Sequence, residues 1–500
     1  MKGLTTDSKD DSKSVSQNEL IRLSCELWEK TLCHTPETNS SLLWQEHLMI
    51  REKLESIAKI QMENADISEK SPTRKEALAK FLEWVNTVGI EHEGVAVDTD
   101  DGDLFYGLKA VSSIQSGSDI VKVPRTAILS LDEARKSIVF RKAFERDMII
   151  KSMDNVALAL MLCCHKLLPN SFWHSYLNVL PNTYDTPLHF SVDELQSLRP
   201  SPVFEDSLLL YRSVARQFIY FLLIIVGAQK SSHFKRTKKE SVHSSIFSQT
   251  PFTQNNFTFN LYRWAVSSVS TRINLIPSLE LKDPSGSPKM IPALIPFLDM
   301  ANHENLPKES RNMVNFSVHS DSAVIATQRN YCANERITIY YGSRSSHDFF
   351  LHNGFVPPGE NVNESFKLKL GLSKTDKFRT ARLDLLRGIG FSTDSNIFLF
   401  EVKCVEPYVD RSLIEFAKIF TAKDPSVIGE MNDVETKLSS KQAWSFLRER
   451  FYVLRLSYGE LSSEPLTGRQ LMINRLKRSE LKLLDKVVAF CDNQLTKLEG

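Results

Sequence analysis

Two segments with the alternating pattern of β-strands flank a long helical segment, and this order limits the folds open to the chain. Residues 93 to 130 alternate polar and apolar positions and carry Asp-Gly and Ser-Gly turn signals. Residues 131 to 290 are mainly helical, and β patterns return after Pro292 in VNFSV, AVIAT and RITIYYG. We therefore predict an α+β fold in which one β-rich domain, residues 91 to 356, is split by a helical insertion over residues 131 to 290.

Helical patterns also occupy the two ends of the chain. Residues 19 to 90 are predicted to form an N-terminal helical segment, and residues 357 to 500 an all-helical C-terminal domain. Residues 1 to 18, which are rich in Ser, Asp and Lys, are predicted to be a disordered tail. Residues 230 to 256 are polar and lack periodicity, so we predict a flexible loop within the helical insertion.

The charge balance argues against a chain whose main partner is nucleic acid. The 62 basic and 61 acidic residues of the 500-residue chain give a net charge of +1, whereas phosphate binding needs a basic surplus on at least one face. The segment KRTKK, residues 235 to 239, fits a nuclear-import signal, but a solvated loop is the simpler interpretation. We expect a cytoplasmic protein, with the nucleus as the alternative compartment.

The cysteines and the apolar runs limit the environment of the chain further. The seven cysteines are odd in number and form no C-x-x-C pair, which argues against a structural zinc site and for free thiols in a reducing compartment. Residues 1 to 18 lack the apolar region of a signal peptide. The longest apolar run, Phe218 to Ala228, is too short to cross a bilayer, so we expect a buried helix and no membrane partner.

The stretch IPFLDMANHEN, residues 295 to 305, carries an unusual set of polar side chains after an apolar run. Asp299, Asn302 and His303 raise the question of a metal site, but Asn is a poor transition-metal ligand and no second His or Cys lies nearby in sequence. We therefore expect no metal. On spacing alone, these side chains are best explained as hydrogen-bonding partners of the backbone at a strand end.

Three further segments change that interpretation. RITIYYG places Tyr341 at a strand end before Gly342, YRWAVSSVSTRINLIP supplies Arg272 and Asn274, and FYGLKAVSSIQSGSDIVKVP opens the first β region. Together with FLDMANH, this set resembles the SET-domain methyltransferases: FLDMANH resembles their N-H motif strand, and ITIYYG resembles the strand of their catalytic tyrosine. The helical block that splits the β region, and the helical C-terminal domain, resemble the branch typified by the Rubisco large-subunit lysine methyltransferase.

The resemblance covers roughly residues 20 to 490. Two long runs, NVALALMLCCHKLLPNSFWHSYLNVLPNTYDTPLHF and YRWAVSSVSTRINLIP, are similar to the SET-domain enzymes of that branch that methylate a histidine of actin. The resemblance implies a small β-rich SET domain split by the helical insertion, and a C-terminal domain that binds the substrate. It also implies S-adenosyl-L-methionine as the cofactor and, as the partner, the actin segment around the acceptor histidine.

The resemblance assigns a set of cofactor-binding residues to this chain. By match to the family motifs, they are Arg74, Glu93, Gly94, Val95, Arg272, Asp299, Met300, Ala301, Asn302, His303, Asn353, Gly354 and Phe355. The residue types suit the ligand, because its carboxylate can pair with arginine and its purine can pack against an aromatic ring such as that of Phe355.

The same match assigns Tyr341 and Asn274 as catalytic residues. Tyr341 would orient the reacting groups rather than act as a base, since a phenol is mostly protonated at neutral pH. A neutral imidazole has one N–H and one lone pair, so Asn274 would fix its tautomer and direct the other nitrogen at the methyl group. By match, the substrate pocket contains Ile273, Leu298, Ile339 and Arg344.

Three positions depart from the family pattern. Leu298 stands where the enzymes that methylate actin have a tryptophan, and it lacks the flat face that would hold an imidazole. Phe105 replaces the family's first glycine in the turn of the β region, and Ile273 replaces a glutamine beside Asn274. Because of Leu298, a lysine acceptor remains an alternative to histidine.

Three functions agree with these observations. The first is an S-adenosylmethionine-dependent protein-histidine N-methyltransferase that acts on actin. The second is a protein-lysine N-methyltransferase of the same SET branch that acts on a histone or on another protein. The third is a non-catalytic module that holds a partner through its groove and its helical C-terminal domain. The sequence does not determine the oligomeric state.

Overall fold

The computed structural model describes residues 7–32, 39–63, 73–99, 106–233, 246–425, 433–462 and 466–499. The chain divides into two compact units, one formed by Met1–His189 with Ser207–Tyr341 and the other by Phe190–Asp206 with Gly342–Gly500. Helices and strands occur together in the first unit, so the predicted α+β class is confirmed.

Helices dominate the described chain, and most of the short strands lie in two groups on either side of the helical insertion. The helices are α1 (Asp7–Leu32), α2 (Ser40–Glu63), α3 (Arg74–Thr87), α4 (Leu131–Lys136), α5 (Arg141–Arg146), α6 (Met148–Ser152), α7 (Asp154–Leu167), α8 (His174–Val179), α9 (Val192–Gln196), α10 (Val203–His233), α11 (Phe259–Arg272), α12 (Ser346–Asp348), α13 (Arg379–Gly388), α14 (Arg411–Thr421), α15 (Asp433–Ser457) and α16 (Gly468–Glu499). The strands are β1 (Val95–Asp98), β2 (Gly107–Ala110), β3 (Asp119–Pro124), β4 (Leu129–Ser130), β5 (Asn274–Lys282), β6 (Pro288–Leu294), β7 (Asn302–His303), β8 (Met313–Ser317), β9 (Ser322–Ala326), β10 (Arg336–Ile339), β11 (Ser365–Gly371) and β12 (Ile397–Lys403).

The two β regions of the first unit, which are far apart in sequence, join in three sheets, whose strand orders are β3-β9-β8, β4-β6-β5 and β1-β2-β10-β7. In the four-stranded sheet, β10 pairs antiparallel with β2 and parallel with β7. Because β2 precedes the helical insertion and β10 follows it, this sheet forms only when the two ends of the insertion meet. The predicted hairpin is β8 with β9, where Met313 lies opposite Ala326. The split β-rich domain is therefore confirmed, but the prediction that the helical insertion extends to residue 290 is wrong, because α11 ends at Arg272 and β5 begins at Asn274.

Local signals and buried faces explain where helices form in the first unit. Thr73 caps α3 in a reciprocal capping box with Glu76, and Phe81 and Val85, four residues apart, are buried on one face of that helix. In α10, the window Val203–Gly227 is long and apolar enough to cross a membrane by length and composition alone. Of that window, 56% is buried inside the protein, as expected for a core helix.

The predicted N-terminal tail is helical in part. Helix α1 begins at Asp7, so the prediction of a disordered tail over residues 1 to 18 is wrong from residue 7 onward. Residues 1 to 6 lie outside the described residues. Extending an existing helix adds a hydrogen bond for each residue without the cost of a new nucleus, so a polar stretch can continue the amphipathic helix that follows it.

The predicted flexible loop is also ordered in part. Helix α10 continues to His233, and residues 234 to 245, which include the KRTKK segment, lie outside the described residues. After this gap, Phe247 and Phe252 are buried, with ring centroids 5.6 Å apart. The prediction of a flexible loop is therefore wrong for residues 246 to 256, because two aromatic side chains in a polar stretch are enough to anchor it.

The second unit contains a two-stranded hairpin, so the prediction of an all-helical C-terminal domain is wrong in this respect. Strands β11 and β12 pair antiparallel, with Phe366 opposite Val402. Alternate residues of both strands are buried, which is the period-two pattern of a sheet with one face on a core. The ring of Phe400 lies 5.1 Å from that of Phe416 in α14. The unit begins again at Gly342, upstream of the predicted boundary at residue 357.

Candidate active site

A strained turn at Phe297 opens the segment that carries the predicted motif. Phe297 has φ +68° and ψ −53°, and the N–H of Leu298 donates to the carbonyl oxygen of Pro296 at 2.9 Å, which together define a γ-turn. Such strain persists only where the surroundings hold it. The Phe297 side chain is fully buried, and its ring centroid lies 4.7 Å from that of His92. Packing therefore sets the direction in which the chain enters the motif.

Asp299 lies at the centre of a buried polar network. Arg272, the last residue of α11, donates through Nη1 to the Asp299 carbonyl oxygen at 2.9 Å and to Oδ1 at 3.3 Å. The hydroxyl of Tyr176 in α8 donates to Oδ2. The Asp299 side chain is only 1% exposed, and a buried carboxylate needs an opposite charge and hydrogen bonds of this kind. The network joins two helices of the insertion to the motif.

Burial and neighbouring charge act in opposite directions on the pKa values in this network. Burial of the Asp299 carboxyl raises its pKa, while Arg272 and the hydrogen bond from Tyr176 lower it. Burial opposes the charge of Arg272, but Asp299 and the nearby tyrosines outweigh it and raise the pKa of the guanidinium above its ordinary value. Burial raises the pKa of Tyr176 well above its ordinary value. Arg272 therefore stays cationic, and Tyr176 stays a hydroxyl donor.

The parallel pairing of β7 with β10 brings His303 beside Tyr341, which follows β10. The register places His303 opposite Ile339. The backbone N–H of Tyr341 donates to His303 Nδ1 at 3.2 Å, and His303 Nε2 lies 2.9 Å from Asn305 Oδ1. Since Nδ1 accepts and the Asn305 oxygen can only accept, these contacts select the neutral Nε2–H tautomer of His303. In this role His303 fixes the backbone that carries Tyr341.

The phenol of Tyr341 is directed back at the motif. Its hydroxyl donates to the carbonyl oxygen of Ala301 at 2.9 Å. Its ring centroid lies 5.2 Å from that of His303. The side chain is partly buried, so the hydroxyl is held in place by the backbone while part of the ring remains accessible.

The side-chain amide of Asn302 lies against Gly107 in β2. A Cβ atom at position 107 would lie 3.0 Å from Asn302 Nδ2, so the missing side chain makes room for this amide. Tyr106, the preceding residue, has the guanidinium of Arg74 over its ring, 4.1 Å from the centroid. Arg74 Nε also donates to the Val179 carbonyl oxygen at 2.9 Å. The structure thus places Arg74 next to the strand that borders Asn302.

The segment 93–95 forms the turn into β1. Gly94 has φ +70°, a left-handed conformation that favours glycine. Val95 is buried, and its carbonyl oxygen lies 2.9 Å from His92 Nδ1. His92 is also the residue whose ring packs against Phe297. The turn that contains Glu93 and the turn before the motif are therefore neighbours.

The residues predicted for the acceptor pocket differ in accessibility. Asn274, the first residue of β5, is partly buried, and its Nδ2 donates to the Arg272 carbonyl oxygen at 3.1 Å. Ile273 is partly buried, and Ile339 is 5% exposed. Leu298 is 0% exposed. Leu298 is therefore closed to solvent in this structure, and its place in an acceptor pocket stays a prediction.

The remaining predicted residues belong to the second unit. Arg344 donates through Nη1 to Asn353 Oδ1 at 2.6 Å. Asn353 ends a π-helical turn, and Gly354 follows it in the left-handed region with φ +76°. The ring centroid of Phe355 lies 5.0 Å from that of Phe349. Within that unit, Arg344 and residues 353 to 355 form one hydrogen-bonded and packed segment.

Sequence reasoning did not single out three residues that organise the site. Gly107 lies inside a strand pattern, where glycine signals the close approach of another group, and that signal was available. Asn312 is 1% exposed. Its backbone carbonyl oxygen accepts from the Tyr340 N–H at 3.0 Å, and its side-chain Nδ2 donates to the Thr338 carbonyl oxygen at 3.0 Å, so Asn312 holds the end of β10. Nothing local marks Asn312 or Tyr176, because their roles depend on distant partners.

The arrangement suits the binding of a polar molecule and the orientation of a nucleophile. The buried Nε–H of Arg272 finds no acceptor among the residues that the structure describes. Asn302 is exposed, and Tyr341 offers a fixed phenol. In the described parts of the chain, no group of three or more His, Cys, Asp or Glu side chains lies close enough to hold a metal ion.

Curated relatives match the chain along nearly its whole length. The actin-histidine N-methyltransferase of Gallus gallus is 30% identical over 498 residues, covering 95% of this chain and 78% of the relative. That of Homo sapiens is 29% identical over the same length, with the same shares covered. No protein-family model matches the chain.

Solved structures share the fold. The SET domain of LSMT bound to lysine and AdoHcy superposes with a TM-score of 0.63 at 18% identity, covering 85% of this chain and 93% of that structure. Rubisco LSMT bound to AdoMet gives a TM-score of 0.63 at 17% identity, covering 84% and 93%. These identities are low, so the likeness concerns the fold alone. With 30% identity over 95% of its length, the chain belongs to the actin-histidine N-methyltransferase family.

Proposed function

We propose that this protein transfers a methyl group from S-adenosyl-L-methionine to a ring nitrogen of a histidine in actin. The observation that carries the proposal is the relation to actin-histidine N-methyltransferases over 95% of the chain. The geometry of the first unit supports it, because a cationic donor, an exposed amide and an anchored phenol surround one short segment. The substrate would be the part of actin around the acceptor histidine.

The residues of the first unit fit the cofactor. The carboxylate of the cofactor needs a cationic donor, and Arg272 has a buried Nε–H that finds no acceptor among the described residues. The adenine needs amide partners, and Asn302 occupies the space beside Gly107. The residues of this unit that would hold the cofactor are Arg74, Glu93, Gly94, Val95, Arg272, Asp299, Met300, Ala301, Asn302 and His303. The bound cofactor supplies a methyl group on a positively charged sulfur.

Asp299 would take part by holding Arg272 rather than by contacting the cofactor through its side chain. Both carboxylate oxygens already accept hydrogen bonds, from Arg272 and from Tyr176. The carboxylate holds Arg272 in place and offsets part of its charge, so the guanidinium meets an anionic ligand from a fixed position. Because little reorganisation is then needed on binding, this arrangement favours affinity.

Tyr341 would orient the reacting groups. Its hydroxyl donates to the Ala301 carbonyl oxygen, and its backbone is held by His303. A phenol that donates its proton in this way presents its oxygen lone pairs to the site, where they can accept a weak contact from a methyl or N–H group. The phenol is in place before the substrate arrives, so its contribution is alignment and preorganised electrostatics.

Asn274 would select the tautomer of the acceptor imidazole. Its Nδ2 donates to the Arg272 carbonyl oxygen, which fixes the amide and leaves Oδ1 as an acceptor. An imidazole that donates its N–H to Oδ1 keeps a lone pair on the other ring nitrogen, and this lone pair can accept the methyl group. A lysine ammonium must first lose a proton, whereas a neutral imidazole needs no general base.

The lysine alternative depended mainly on Leu298. A leucine in an open pocket would suit an aliphatic side chain better than an imidazole. The Leu298 side chain is 0% exposed, whereas the relation to actin-histidine N-methyltransferases extends over 95% of the chain. We therefore propose histidine as the acceptor.

A methyl-transfer assay with paired peptides tests the proposal. The full chain is incubated with S-adenosylmethionine and an actin peptide that carries the acceptor histidine, or the same peptide with lysine at that position. Fragment mass spectrometry should find the methyl group on the histidine, and the lysine peptide should stay unmodified. Methylation of the lysine alone would support the second hypothesis. Cofactor binding without transfer to either peptide would contradict the proposed reaction.

A further inference from the structure

The second unit contains an open groove of about 540 Å³ that none of the assigned site residues lines. One wall is the loop of residues 356 to 362, and the other is a face of helix α16. Its volume lies within the usual range for a ligand site. We propose that this groove binds an acidic, extended segment of a partner protein.

Four cationic side chains lie along the face of α16 that lines the groove. They are Arg475, Arg478, Lys482 and Lys486, and all four are exposed. Their spacing of three or four residues puts them on one side of the helix. No ion pair to any of them occurs within the described residues. Because like charges at this spacing repel one another, an anionic segment along the face would stabilise the arrangement.

The acidic residues of the groove do not neutralise this face. Glu364 is 5% exposed and accepts hydrogen bonds from the Ser346 backbone at 3.0 Å, from the Ser346 hydroxyl and from the Ser479 hydroxyl. Its charge is therefore committed to internal donors, which tie α16 to the segment before β11. Glu360, on the opposite loop, is the other acidic residue in the lining. Two acids face four cations, so the groove favours an anion.

The dimensions of the groove fit an extended peptide. Along a helix, the distance from Arg475 to Lys486 is about 16 Å, which about five residues of extended chain would span. Pro357 and Pro358 restrict the backbone of the opposite wall, so that wall is preformed. Exposed apolar side chains, such as Val405 at 51% exposure, also line the groove. The fitting segment alternates acidic with aliphatic side chains.

A protein segment fits better than a nucleic acid. In the described part of the chain, no aromatic side chain lines the groove, so it lacks the stacking platforms on which single strands are bound. Glu360 would also repel a continuous phosphate backbone. A peptide can place its carboxylates on the α16 side and turn neutral groups toward Glu360.

Binding of a labelled peptide to the full chain tests this inference. The probe is a fluorescein-labelled octapeptide in which Asp and Glu alternate with Val and Leu, measured by fluorescence anisotropy without cofactor. The double variant Lys482→Glu with Lys486→Glu should weaken binding by about tenfold or more, since reversed charges act on both attraction and orientation. The effect should shrink between about 0.1 M and 1 M salt, where the Debye length falls from about 10 Å to about 3 Å.

A matched double variant provides the control. Arg450→Glu with Lys497→Glu makes the same change in net charge at exposed positions outside the groove, and it should leave the peptide Kd within about twofold, because distant exposed charges are screened. Equal weakening by both double variants would overturn the inference, as would absence of peptide binding. Tighter binding of a single-stranded oligonucleotide of equal charge would overturn it as well. Since no methyl transfer is measured, the result is independent of the proposed reaction.

Discussion

The hydroxyl of Tyr176 donates a hydrogen bond to Asp299 Oδ2, while Oδ1 of the same carboxylate accepts from Arg272 at 3.3 Å. The hydrogen bond from Tyr176 to Asp299 joins α8 to the motif across 123 positions of sequence. Because the Asp299 side chain is 1% exposed, this carboxylate depends on its two protein donors and not on water. Asp299 therefore anchors the site from inside.

Loss of the Tyr176 hydroxyl should destabilise the first unit. In Tyr176→Phe, one donor to a buried carboxylate is missing, so we expect the free energy of unfolding to fall by about 1–3 kcal/mol. The control is Tyr262→Phe, which removes a hydrogen bond of 3.0 Å to the neutral Gln217 side chain and should cost about 0.5–1.5 kcal/mol. Urea unfolding measures both. A Tyr176→Phe cost below that of the control would mean that Asp299 does not need this donor.

A methyl group at position 107 should weaken cofactor binding. In Gly107→Ala, the new Cβ would lie 3.0 Å from Asn302 Nδ2, so the amide must move. We expect the Kd for S-adenosylmethionine to rise by about tenfold, which corresponds to about 1.4 kcal/mol. Gly227→Ala, at a helix position with nothing within 4 Å, should leave the Kd unchanged. Calorimetric titration measures the Kd for S-adenosylmethionine in both variants. An unchanged Kd in Gly107→Ala would show that Asn302 does not contact the cofactor.

Removal of the Asn274 amide should reduce both the rate of methyl transfer and the selectivity for one ring nitrogen. In Asn274→Ala, nothing fixes the imidazole tautomer, and we expect kcat to fall by about a hundredfold because alignment is lost. The product should then be a mixture of the two singly methylated histidine isomers, whereas the unmodified protein should make only one of them. Leu275→Ala, at the neighbouring position with 58% exposure, is the control. Chromatography of the hydrolysed product separates the isomers, and a single isomer from Asn274→Ala would contradict this role.

Because of Glu480, the protein should lose stability relative to the variant Glu480→Gln as the pH rises from 6.5 to 8. Burial raises the pKa of this carboxyl to about 8, although Ser201 and Tyr458 donate to it at 2.7 and 2.9 Å. Between its ordinary pKa and about 8, the unfolded chain is ionised here while the folded chain holds a proton. At this carboxyl the folded state therefore binds more protons, and its contribution to the free energy of unfolding falls by up to about 1.4 kcal/mol for each pH unit.

Buried histidines act in the opposite direction in the same pH window, so Glu480→Gln serves as the reference. Burial lowers the pKa of His47 to about 3 and that of His165 to about 4, so these rings take up protons only when the chain unfolds, and their contribution to stability rises with pH in both proteins. Urea unfolding at pH 6.5, 7.25 and 8 measures the slope. The slope of the unmodified protein should be more negative than that of Glu480→Gln by up to about 1.4 kcal/mol for each pH unit. Equal slopes in the two proteins would show that Glu480 does not titrate in this window.

Local pattern was enough to find the main elements of the fold and the principal motif residues. Alternation and helical periodicity revealed the split β-rich domain, because strand and helix periods depend on neighbouring residues. The same limit explains the errors. The hairpin of β11 and β12 was missed because its seven-residue strands lie among long helices, and Phe247 and Phe252 were overlooked because the surrounding residues are polar.

Three-dimensional packing was needed for the roles of individual residues. Leu298 is a pocket residue by pattern, and only the structure shows that its side chain, directly after the γ-turn at Phe297, is fully buried. Asp299 had the right type for a ligand contact, but its carboxylate is used by Tyr176 and Arg272. The order of residues along the chain selects helices, strands and motifs through short-range preferences. Burial and hydrogen-bond partners depend on groups that are distant in sequence, so only the folded chain assigns them.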